Sequence, residues 1–117
     1  MIWQEIHDEL GGAGLNPYPP GKHKGECLER YCVLRQGSQS PFIGTNKVGY
    51  EMIDIILFIP EFNEYTEMEK YKKEVKTALK RLSFLRLTGN ETPTISDDKK
   101  KAYTCSIEYQ VLKKLEG

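Results

Sequence analysis

His23, Cys27 and Cys32 fall within ten residues of one another, and histidine and cysteine at such spacing are the beginnings of a zinc site. The pattern fails on reach. Residues 26–35 read as a strand with Tyr31-Cys32-Val33-Leu34 at its centre, which would turn Cys27 and Cys32 to opposite sides and set them roughly 16 Å apart. With Cys105 the cysteines number three, an odd count that argues against a disulfide scaffold and for reduced thiols in a cytosol. Asp54 is the other residue that could do chemistry, because it interrupts the apolar series Ile53, Ile55, Ile56, Leu57, Phe58, Ile59 and burial would raise its pKa. The simpler role is a carboxylate paired with a basic residue across a sheet or at an interface. His7 has no partner near it in sequence and reads as exposed or capping. There is no phosphate-cradling glycine loop, no Gly-x-Ser-x-Gly elbow and no two-histidine ligand pair. Neither a catalytic residue, a metal nor a cofactor is expected.

The elements that must position these residues centre on 48–82. Along the first part Glu51, Ile53, Ile55, Leu57 and Ile59 share one face, and Tyr50, Met52, Asp54, Ile56 and Phe58 share the other. From Ile55 onward both faces are apolar, so this is a strand buried on two sides. It feeds a helix over 66–82, for which Thr66 and Glu69 are a capping-box signature. Acid at Glu61, Glu64, Glu67 and Glu69 precedes six basic residues between Lys70 and Arg81, the polarity that a helix dipole favours. Met68, Tyr71, Val75, Ala78, Leu79 and Leu82 form its apolar stripe, and the basic run reads as a solvated face.

Upstream, Ile2, Trp3, Ile6 and Leu10 predict a short helix over 2–10, stopped by Gly11-Gly12. Eight of the fifteen residues from 11 to 25 are Gly or Pro, which predicts an extended arm that simply crosses the domain, with Tyr18 as a docking side chain for a partner the alternative. Residues 36–47 read as a long hairpin loop whose Phe42-Ile43 tip needs an apolar surface. Downstream, 84–88 predicts a short strand broken by Gly89-Asn90-Glu91-Thr92-Pro93, and Ile95 lies in a second extended piece. Residues 101–112 are a half-buried strand with Tyr103, Cys105, Ile107, Tyr109 and Val111 facing inward. The expectation is a single α+β domain over 1–117: an antiparallel sheet of about four strands, one principal helix across it and a short N-terminal helix.

Seventeen acidic and seventeen basic residues cancel among 117, leaving no global field to attract nucleic acid or an anionic membrane. The longest wholly apolar run is Ile55 to Ile59, and the N-terminus lacks a secretion signal; a soluble, unexported protein is expected. One helix covers one sheet face, so the second apolar face needs cover from elsewhere in the chain or from another subunit. Trp3, Tyr18, Phe42, Ile43, Asp54, Ile55 and Phe58 are the candidate interface residues.

Several segments carry a family resemblance: Gly21-Lys22-His23-Lys24-Gly25-Glu26-Cys27, Arg30-Tyr31-Cys32-Val33-Leu34, Gly49-Tyr50 through Asp54-Ile55, Thr88-Gly89-Asn90-Glu91-Thr92-Pro93, and Asp97-Asp98 followed by Lys101-Ala102 and Ser106-Ile107-Glu108-Tyr109. Together they span about residues 20 to 115, and they resemble a family of small structural proteins from tailed phages and prophages of Firmicutes. Its element order is similar to that of tail-terminator and neck proteins. The resemblance implies a ring, commonly a hexamer, that caps the tail tube and meets neck or head-completion proteins, in the virion or in the host cytoplasm during assembly. It brings no residue-level motif. A non-enzymatic interaction module, or a phage-encoded inhibitor of a host protein, is the runner-up reading, followed by a nucleic-acid-binding sheet domain.

Overall fold

The computed structural model describes residues 2–19, 25–41 and 48–114. In chain order the elements are α1 (Ile2–Gly12), β1 (Pro17–Tyr18), β2 (Tyr31–Pro41), β3 (Val48–Pro60), α2 (Glu67–Leu79), β4 (Leu85–Glu91), β5 (Ile95–Asp97) and β6 (Ala102–Lys114). The α+β class holds, but the sheet has six strands instead of about four and is mixed instead of antiparallel. Its order is β1-β2-β3-β6-β4, with β5 also on β6. The parallel pair is β1 with β2, where Pro17 lies beside Cys32 and Tyr18 beside Val33.

Both helices cover the same face of the sheet. Ile53, Ile55, Leu57 and Ile59 of β3 form one core with Cys32 and Leu34 of β2 and with Cys105, Ile107, Tyr109 and Val111 of β6. Above them lie Met68, Tyr71, Val75 and Leu79 of α2 and Ile6 and Leu10 of α1, with Ala78 and Leu82 packed at the margin. Burying a side chain of this size is worth about 1.5–3 kcal/mol. The Tyr71 hydroxyl donates to the Leu15 carbonyl at 2.6 Å, so the one polar tip on that stripe is satisfied where it is buried.

Four local expectations change, each for a tertiary reason. The arm does not simply cross the domain. Gly11 and Gly12 finish α1, Gly14 and Asn16 take positive φ, and the Asn16 amide donates to the Arg30 carbonyl at 2.9 Å. This turn delivers Pro17 and Tyr18 to the edge of β2, where a proline is tolerated. The second change is that residues 26–30 are not strand: β2 starts at Tyr31 and runs through the Gly/Ser-rich stretch to Pro41. There β3 supplies backbone partners, and a register shift between Gln36 and Gln39 absorbs the two intervening residues. Residues 36–41 of the expected loop are therefore strand, and the rest of it, with Phe42 and Ile43, lies outside the described residues. Third, β4 continues through Gly89 to Glu91, because a bulge between Leu87 and Glu91, with Gly89 at φ 91°, accommodates the residues that looked like a break.

The fourth concerns the start of α2. Thr66 has helical backbone angles and makes no side-chain cap. Three successive i to i+3 bonds lead in instead: Glu67 N to Glu64 O, Met68 N to Tyr65 O and Glu69 N to Thr66 O. Those amides would otherwise need a cap. Thr66→Ala should therefore cost no more than about 0.5 kcal/mol in urea denaturation, where a working cap would cost about 1.

Candidate functional site

No described helix lies on the second face of the sheet, and most of the polar and aromatic residues of interest gather there. It can be followed rung by rung, because paired strands put register partners on the same side. At one end Tyr18 meets Tyr31 edge-on at 5.5 Å, Tyr31 stacks on Phe58 at 4.7 Å, and the Lys100 ammonium stands 5.7 and 5.6 Å from those two rings, within cation–π range. The Cys27 amide donates to the Lys100 carbonyl at 2.7 Å, which anchors the segment before β2 over this cluster. Cys27 and Ala102 complete it.

One rung on, Val33 lies beside Ile56, and Ile56 beside Ser106. Val33 and Ile56 are half-buried and pack at the margin of the aromatic cluster. Next comes a polar band. Arg35 bonds Asp54 at 2.9 Å, and Asp54 is the register partner of Glu108. One Glu108 oxygen accepts from the Thr88 hydroxyl at 2.7 Å and from the Asn90 amide at 2.9 Å. Those bonds, Asn90 first, hold its carboxyl below the usual carboxylate range. The β4 bulge is what brings both donors to one oxygen. Beyond the band Met52 lies beside Gln110 and Gln110 beside Arg86. Two carboxylates side by side would repel, yet each has its own partner on the far side. The band is therefore a connected network in which each carboxylate is held by its own donors.

The expected interface residues divide. Tyr18, Asp54 and Phe58 are on this open face. Ile55 is not: it is wholly buried beneath the helices and can touch no partner. Trp3 also belongs to the helix side, half-buried against the core and stacked on His7 at 5.0 Å. Asp54 has the role of a carboxylate paired across the sheet.

The cysteines do not form a site. Cys27 precedes β2 and belongs to the open-face cluster while Cys32 lies in the helix-side core, so the two thiols share no strand and are kept apart by lying on opposite faces of the sheet. Cys27 Sγ donates to the Glu29 carbonyl and Cys32 Sγ to that of Leu15. Among the described residues no group of three His, Cys, Asp or Glu could hold a metal ion; His23 lies outside them. A groove of about 880 Å³ follows the seam of the two helices. Its rims are tied by Arg81 to Glu9 and by Arg30 to Glu74, with the Arg30 guanidinium 4.9 Å from the centre of the Tyr71 ring.

Sequence reasoning missed two surface features. Phe62 and Leu28 are 73% and 74% exposed, and an apolar residue set among Glu61, Asn63 and Glu64 is the same signal that singled out Phe42 and Ile43. The basic face of α2 is also more than solvated. Lys72 and Lys76 both bond Glu91 of β4, at 3.3 and 3.0 Å. The Lys76 bond is the main reason the Glu91 carboxyl sits below its usual range. These pairs staple the helix to the sheet. No described helix is long and apolar enough to cross a membrane. No protein-family model matches the sequence, and no curated protein matches it either.

Proposed function

We propose that this chain is a virion structural protein of a tailed phage or prophage, a tail-terminator or neck ring subunit that joins the tail tube to the head by protein contacts alone. The observation that carries the reading is the sheet face that neither helix covers. Its middle presents half-buried Val33 and Ile56 between an aromatic cluster and a polar band whose carboxylates are already hydrogen-bonded. An apolar strip with a satisfied polar border is what a protein contact needs, and it supplies no group for catalysis. The resemblance of residues 20 to 115 to phage structural proteins selects the phage setting.

The same geometry disfavours single-stranded nucleic acid as the occupant. Bases stack on open aromatic faces, whereas Tyr31 and Phe58 are stacked on each other beneath Lys100. Most cations of α2 are paired with Glu67, Glu69 or Glu91, and Arg81 just after it with Glu9.

Light scattering at high protein concentration should show multimers, and electron microscopy with added tail tubes should show the protein at tube ends. Ile56→Lys, on the open face, should abolish binding to tube ends while leaving the far-ultraviolet circular dichroism unchanged. A wild-type chain that stays monomeric at millimolar concentration and ignores tube ends would sink the reading.

A further inference from the structure

Two surfaces away from the open face complement each other. The first is the turn after β3, where the Asn63 amide donates to the Pro60 carbonyl at 3.0 Å and the Glu61 amide to the Lys101 carbonyl at 2.9 Å. Tyr65 braces the segment edge-on against Tyr103 at 5.4 Å. The turn is thus held in place while its tip, Phe62, projects into solvent. Glu61 and Glu64 flank that ring, both exposed, and neither forms an ion pair with any described residue.

The second surface is a groove of about 360 Å³ between α2 and β4. Lys73, Lys76, Thr77 and Lys80 line it together with Glu69 and Lys72, which bond each other at 3.4 Å, and Leu87 of β4, half exposed at 50%, gives it an apolar wall. Lys76 is engaged by Glu91, but Lys73 and Lys80 have no acidic partner among the described residues. One surface therefore offers an exposed aromatic ring between two unpaired acids, and the other an exposed leucine between two unpaired lysines.

We propose that the turn of one copy docks in the α2–β4 groove of the next, Phe62 seating against Leu87 while Glu61 and Glu64 meet Lys73 and Lys80. The proposal rests on the reading of the chain as a ring subunit and assigns the lateral contact, leaving the open sheet face for the tube or neck partner. The surfaces cannot meet within one chain. The turn precedes α2 and is pinned beside the start of β6, while Lys80 and Leu87 at the far end of the groove lie past the last residue of a 13-residue helix about 20 Å long. A contact between two different patches is head-to-tail, which closes a ring when the rotation fits. A buried aromatic ring would anchor it, and the charges would set register and make it salt-sensitive.

The test uses two reversal variants of the full chain. Glu61→Lys with Glu64→Lys makes turn and groove both basic, and Lys73→Glu with Lys80→Glu makes both acidic. Sedimentation velocity should show each variant alone at least tenfold weaker in self-association than the wild type, with an unchanged melting curve. Mixed one to one they should assemble again, because each turn then faces an oppositely charged groove. Phe62→Ser should weaken association in either background. The contact is refuted if both variants assemble like the wild type, if mixing restores nothing, or if the wild type is monomeric at millimolar concentration. Capping of tail tubes is scored separately, so this contact can fail while the ring-subunit reading survives. Salt-dependent binding of a duplex DNA probe, lost in the groove variant and kept in the turn variant, would give the groove to nucleic acid and also overturn the proposal.

Discussion

Ile55→Lys should leave no cooperative unfolding transition, whereas Ile56→Lys, one residue further on, should melt within a few degrees of the wild type. Ile55 is completely buried between the sheet and both helices. Removing such a side chain costs about 2–5 kcal/mol, and an unpaired ammonium in its place adds several more. That sum reaches the whole stability of an ordinary domain, about 5–15 kcal/mol. Ile56 points the other way, where a lysine stem can lie along Val33 and carry its charge out to water, at a cost of about 1 kcal/mol. Circular dichroism melts of the two proteins decide the matter. Equal damage would mean that the second face is as enclosed as the first, and the open-face reading would fall with it.

A comparably large effect is expected at alkaline pH. Burial pushes the Cys32 and Cys27 thiols up to about 11 and the Tyr109 hydroxyl up to about 12, and it raises Tyr71 and Tyr31 further still. In the unfolded chain these groups would titrate near 9 for thiols and 10 for phenols. Between the two values the folded chain holds protons that the unfolded chain has lost, so stability falls as pH rises. The contribution is fully present below pH 9 and drains away toward pH 11 and above. Cys32 alone should account for about 3 kcal/mol, since each pKa unit is worth somewhat more than 1 kcal/mol. Urea midpoints measured from pH 8 to 10.5 should drop steeply, and Cys32→Ala should flatten part of the slope. A constant midpoint across that range would show that these groups are solvated in the folded protein.

What could be read from the sequence was whatever repeats with a clean period. The alternation of Ile53, Ile55, Leu57 and Ile59, the stripe of Met68, Tyr71, Val75 and Leu79, and the inward set from Cys105 to Val111 all lie where their periods place them, because each pattern contrasts apolar with polar within one element. Features that depend on a distant partner were hidden. Pro17-Tyr18 is a strand only because β2 lies beside it, and Gln36 to Pro41 extends β2 only because β3 pairs with it. Periodicity identified two apolar faces on β3 without saying which of them the helices would take. That choice put Ile55 inside and left Asp54 to Arg35. Glu91 gave no sign of its two lysines, since an acid in a turn-like stretch is unremarkable until the helix is laid over it.

The position of β6 bears on how the chain is made. It is the last of the described strands in sequence and yet lies inside the sheet, between β3 and β4, with β5 also on it. During synthesis β4 and β5 emerge with nothing to pair with, and β3 keeps one edge open until residues 102 to 114 follow. That edge is long and apolar, the kind of strand that recruits another chain when left bare. A stop codon or a ribosomal stall anywhere between 92 and 101 would therefore yield an aggregating product, not a slightly shortened one. Slowing initiation by cooling, which spaces the nascent chains apart, should raise soluble yield more than any improvement to the helices.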